Sequence, residues 1–143
     1  MAPKHIQRER TETLAASLRR LALFRYEMRR FLRFSEQAAR ANGLTPQQHQ
    51  LLLGIAGFTG RGWATISELA EFLQERHNAV VGLVQRAARQ GLVQKESSLD
   101  DRRVMEVRLT MRGRRLLRKL TEQHLDHLRR LRAPWNLRQI ISR

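Results

Sequence analysis

The chain has 143 residues, 28 of them Lys or Arg against 13 Asp or Glu, for a formal net charge of +15. That length supports one domain with a substantial core, and that charge points to a polyanionic partner, nucleic acid first. Cysteine is absent, which excludes a disulfide framework, thiolate redox chemistry and a Cys-ligated zinc site.

No apolar run approaches the ~20 residues of a membrane helix. The first residues, MAPKHIQRERTE, lack the apolar centre of a secretory signal and read as a basic arm, disordered at its start. A cytoplasmic, nucleoid-associated protein is the expectation. The charge is uneven: residues 41–75 carry one basic and three acidic side chains, whereas residues 110–143 carry ten basic and two acidic.

From about Thr11 to Ala41 the pattern is helical, with Leu14, Leu18, Leu21, Met28 and Leu32 in steps of four and three, interrupted by Arg25. Phe24, Met28 and Phe31 form a second apolar edge, more than one small domain needs. ANG at 41–43 ends this helix. In LTPQQHQLLLGIAGF, Thr45 reads as an N-cap, Pro46 as the first helical residue and Gln48 as the third member of a capping box. TGRG (59–62) is a turn, Trp63–Thr65 a short extended piece, and Thr65 with Glu68 a second capping box opening a short helix. RHNAVVGLVQRAARQ (76–90) is a second helix facing inward through Val80, Leu83, Val84 and Ala87, closed by Gly91. Two short helices on a tight connection read as helix-turn-helix.

LVQKE (92–96) and VMEVRLT (104–110) are both extended, the latter alternating as a half-buried strand does. SSLDDRR between them is the loop of a hairpin. Helix-turn-helix followed at once by a hairpin is a winged helix. Thr110 then caps a last long helix with Leu116, Leu117, Leu120, Leu125 and Leu128 as its stripe, stopped by Pro134. APWNLRQIISR is a short amphipathic tail.

The order of these elements, with ISELAEFL, VVGLVQRAARQGLV and above all DDRRVMEVRLTMRG, resembles the MarR family of transcriptional regulators over roughly residues 13–130. The resemblance implies a mostly α chain with a small β-hairpin wing (α+β), a winged helix-turn-helix carried between long N- and C-terminal dimerisation helices. Its divisions are residues 1–41 (arm and dimerisation helix), 42–110 (DNA-binding lobe) and 111–143 (second dimerisation helix and tail). It implies a homodimer joined through Leu14, Leu18, Leu21, Leu117, Leu120 and Leu128.

The partner is then double-stranded DNA carrying a pseudo-palindromic operator, with half-sites about one helical turn (~10 bp) apart. Helix 76–90 would enter the major groove, where Arg76 and Asn78 suit guanine and adenine edges, Val81 a thymine methyl, and His77 a base or a phosphate. Arg102 or Arg103 at the wing would enter the minor groove, which A·T tracts narrow and make more negative. Asp101 would hold a wing arginine through a carboxylate–guanidinium pair. Thr65, Ser67, Arg86, Arg89 and Lys95 are phosphate-contact candidates. Two departures stand out: Arg76 sits where the family commonly has a small hydroxyl cap, and Gly82 interrupts the helix.

Family members often release DNA on binding a small aromatic or anionic effector, for which Arg25, His49 and Trp63 are the candidate contacts. No catalytic constellation, cofactor motif or metal set is apparent, so neither an enzyme nor a cofactor is expected. His124, Asp126 and His127 are a partial metal pattern without a further ligand. The competing reading is a basic nucleoid-type or RNA-associated protein that binds without sequence choice.

Overall fold

The computed structural model describes residues 4–131; the tail 132–143, with Pro134, lies outside them. The chain divides into two units, one of Met1–Phe34 with Leu128–Arg143 and one of Ser35–His127.

The first unit is formed among described residues by most of helix α1 (Lys4–Ala41) and the last residues of helix α5 (Met111–Arg130). The helix starts well before Thr11, so the arm is helical from Lys4 onward. Residues 4–12 contain no Gly or Pro, the Thr11 hydroxyl donates to the Gln7 carbonyl, and Arg8 pairs with Glu12 one turn on. Leu14, Leu18 and Leu21 are 59, 58 and 52 % exposed, and Leu23, Tyr26 and Leu32 are exposed too. Every buried apolar residue among those described belongs to the second unit.

The second unit is the winged helix. Helix α2 (Pro46–Leu53) opens with the expected capping box, the Gln48 amide donating to Thr45 Oγ1 at 3.1 Å and the Thr45 amide to Gln48 Oε1 at 3.0 Å. It runs into a π-helical turn, Gly54–Phe58. A Cβ at Gly54 would strike the Phe72 ring. Strand β1 (Trp63–Thr65) leads into α3 (Ile66–Leu73), which has a second capping box through Thr65 and Glu68. Gln74 turns left-handed at φ 53°, and α4 (His77–Arg89) follows.

Strands β2 (Val93–Ser97) and β3 (Met105–Leu109) form the hairpin. The antiparallel sheet runs β1-β3-β2, with Ala64 opposite Val107 and Lys95 opposite Val107 on the other side. Leu51, Leu52, Ile55, Leu69, Val84 and Val107 are fully buried at its centre.

Thr110 and Gly113 lock the start of α5. The Thr110 hydroxyl donates to the Gly91 carbonyl at 2.6 Å and accepts the Gly113 amide at 3.1 Å. A Cβ at Gly113 would land against the Leu92 carbonyl oxygen. Beyond this point α5 buries Leu117 and Leu120, 8 and 0 % exposed, within the second unit. These two leucines, expected at a dimer interface, are thus already mostly removed from water within one chain. Leu128, in the first unit, is half-buried.

Candidate nucleic-acid interface

Helix α4 buries Val80, Leu83, Val84 and Ala87. At 100° per residue, Asn78, Gly82, Gln85 and Arg89 then face away from the core. The helix begins at His77, with Arg76 as an N-cap that makes no side-chain capping bond. Arg76, His77 and Asn78 are all exposed, and Val81 is half-buried.

A cavity of about 430 Å³ lies between α4, the start of α3 and the wing. It is lined on the helix side by His77, Val81 and Gln85, at the α3 start by Thr65 and Ser67, and on the wing side by Lys95 and Arg103. Six of the residues expected at a DNA surface therefore share one concavity. Gln85 was missed by the sequence reading; it carries no charge and stands apart from the polar start of the helix. The signal was its position two turns after His77 and opposite the buried stripe. Asn78 and Arg86 instead line a second cavity, of about 190 Å³, with Gly82 as part of its wall. Arg89 is exposed at the end of α4.

The wing tip is ordered by its own turn. The Arg103 amide donates to Asp101 Oδ1 at 3.0 Å, the Val104 amide to the Asp101 carbonyl at 3.0 Å, and the Ser98 amide to the Val104 carbonyl at 2.9 Å. Asp101 thus holds backbone, and among the described residues no ion pair joins it to an arginine side chain. An Asp accepting an amide two residues on is the cheapest way to close such a turn. Arg102 and Arg103 are left exposed.

Thr65 and Ser67 differ in what they have left to offer. The Thr65 oxygen already accepts the Glu68 amide at 3.3 Å, while Ser67 is exposed. Glu68 in turn takes the Thr65 amide at 2.9 Å and the Arg61 guanidinium at 2.6 Å. Burial works to raise the Glu68 carboxyl, but the bonds from Thr65 and Arg61 outweigh it and hold the group below the usual carboxylate range.

The effector candidates fare unequally. Trp63 has the Arg61 guanidinium 3.9 Å from its ring centroid and Arg108 at 5.4 Å, and Arg108 pairs with Glu106 at 2.8 Å. The indole is thus a packing surface for arginines. Arg25 is exposed on α1. His49 is buried, and its Nδ1 has no hydrogen-bond partner. Its ring lies 4.8 Å from that of His124, whose Nδ1 and Nε2 sit 2.6 Å from the Leu120 carbonyl and 2.8 Å from Ser35 Oγ. Desolvation, and secondarily the charge of His124, pushes the His49 pKa down to about 4.

Among the described residues, no helix is long and apolar enough to cross a membrane. No curated protein matches the chain. Solved structures do share the fold. AbsC, a MarR family transcriptional regulator from Streptomyces coelicolor, is similar at 24 % identity, covering 84 % of this chain and 85 % of its own with a TM-score of 0.69. MarR from E. coli is similar at 19 % identity, covering 76 % and 77 %, with a TM-score of 0.66. A mutant of S. aureus MepR bound to an oligodeoxyribonucleotide is similar at 21 % identity, covering 82 % and 88 %, with a TM-score of 0.61. Residues 42–104, which run from the end of α1 to the wing, match the MarR family. The chain thus shares the winged-helix fold of these structures, and over residues 42–104 its sequence is similar to the MarR family.

Proposed function

We propose that the protein is a homodimeric, sequence-specific DNA-binding transcriptional regulator, a repressor released from its operator by a small aromatic or anionic effector. The observation that carries the DNA-binding reading is the shared concavity: recognition-helix residues His77 and Val81 face wing residues Lys95 and Arg103 across one 430 Å³ space, in a chain of net charge +15. In this reading α4 lies in the major groove, with Asn78 and Arg76 on base edges and His77 on a base or a phosphate. Arg102 and Arg103 enter the minor groove. Ser67, Arg86, Arg89 and Lys95 hold phosphates, and Thr65 contributes its hydroxyl proton.

Dimerisation is supported by the exposed Leu14, Leu18 and Leu21 stripe on α1, an apolar face that a lone chain leaves in water. Two copies then place two readers about one helical turn apart, ~10 bp, on a pseudo-palindrome. Effector release comes from the family resemblance, and His49, with its orphaned buried Nδ1, is the contact best placed to support it. A cytoplasmic location on the nucleoid follows from the function.

The test is a fluorescence-anisotropy titration of an operator duplex across salt concentrations. Replacing Arg102 and Arg103 by Ala weakens binding and makes the plot of log affinity against log salt shallower by about one per arginine removed. Asn78→Ala weakens binding to the operator and spares a scrambled duplex. Unchanged affinity and slope in the arginine variant would refute the placement of the wing.

A further inference from the structure

Glycine inside a helix is unfavourable relative to alanine, so an interior glycine calls for a reason. Gly54 and Gly113 have theirs inside the chain, in the Phe72 ring and the Leu92 carbonyl. Gly82 has none. Its backbone is not left-handed, and the only atom near a Cβ placed there is Arg86 Nη1 at 3.2 Å, the free end of a flexible side chain.

Gly82 lies on the outward side of α4, between Asn78 one turn before and Arg86 one turn after. These three residues and Glu75 line the 190 Å³ cavity together with Gln47 of α2 and the apolar Ala79, Val80 and Leu83. The cavity therefore pairs a bare stretch of backbone with two amides, a guanidinium and a carboxylate. A carboxylate beside the opening disfavours a phosphate. It favours a hydrogen-bond donor, and so does the Asn78 side-chain oxygen. In the major groove the donors on base edges are the amino groups of adenine and cytosine.

We infer that Gly82 is the point of closest approach between this helix and the bases, and that the notch over it takes the amino-bearing edge of an adenine or a cytosine. The inference rests on α4 being the recognition helix. Arg86 then swings off the notch to a neighbouring phosphate.

The test uses the full chain, a duplex selected by the wild-type protein, and a scrambled duplex of the same composition. Gly82→Ala should melt about 3 °C higher than wild type, because the helix gains a better helix former. It should bind the selected duplex at least tenfold more weakly and the scrambled duplex within twofold of wild type. Deleting base amino groups one at a time, with purine for adenine and 2-pyrimidinone for cytosine, should reveal one position that costs the wild type about tenfold and Gly82→Ala nothing. The inference is overturned if Gly82→Ala melts lower, binds the selected duplex as wild type does, or loses both duplexes alike. It is also overturned if no amino deletion separates the two proteins. A wild-type protein that does not distinguish the selected from the scrambled duplex refutes the regulator reading itself, a different result from a discriminating protein indifferent to the alanine.

Discussion

Two single residues carry stability for reasons that can be stated atom by atom. Gly113 lets the first turn of α5 close onto the Leu92 carbonyl while Thr110 bridges both sides of the junction. Gly113→Ala forces that carbonyl or the helix to move, and overpacking of this kind costs about 1–3 kcal/mol. A lowered midpoint in urea unfolding checks it. His49 is the second. Its pKa falls from 6.5 to about 4 on folding, first by desolvation and then by His124. The unfolded chain therefore binds the extra proton between those values. The contribution is complete above about pH 6.5 and is lost as pH falls toward 4, by up to ~3 kcal/mol. Denaturant midpoints at pH 7.5 and 5 should diverge in the wild type and converge in His49→Gln.

Elements explain what the sequence made legible. The two capping boxes, Thr45/Gln48 and Thr65/Glu68, occur where their spacing placed them, because that motif is satisfied within four residues of chain. Thr65→Ala should cost about 1 kcal/mol in thermal or chemical unfolding. The β-hairpin was equally readable from its period of two; the Thr110 to Gly113 spacing stood only as part of the family resemblance, and its physical reason is the junction it closes. What local pattern could not supply was tertiary choice. Nothing in LLLGIAGF marks the π-helical turn, which lies where Gly54 packs under Phe72. The leucines of α5 form one stripe by spacing, yet Leu117 and Leu120 are buried in the winged helix while Leu125 is exposed. Asp101 was identified as the organiser of the wing, but backbone amides compete with guanidinium groups for its carboxylate, and the nearer amide wins. Asp101→Ala should therefore leave the melting temperature nearly unchanged and weaken DNA binding by loosening the loop that presents Arg102 and Arg103.

At the scale of the whole molecule, burial divides leucines that spacing alone had grouped: Leu14, Leu18 and Leu21 are exposed, whereas Leu117 and Leu120 are buried. Leu18→Glu on the exposed face of α1 should give a folded monomer, seen as a halved mass by light scattering with the helical circular dichroism of the lobe retained. Leu120→Ala should instead destabilise the fold by about 2–5 kcal/mol, since it empties a fully buried site. In the proposed dimer, the basic excess, the grooved surface between α4 and the wing, and the apolar face of α1 would hold two lobes on DNA. Specific binding exceeds non-specific binding by ~10³ or more when base edges are read, whereas charge alone gives no such ratio. The most direct measurement is selection from a pool of random duplexes at about physiological salt, followed by titration of the winners against scrambled controls. The account predicts a pseudo-palindrome with half-sites about one turn apart and a preference of ~10³ or more over the scrambled sequence. Recovery of no motif, with affinity falling alike for every sequence as salt rises, would contradict it.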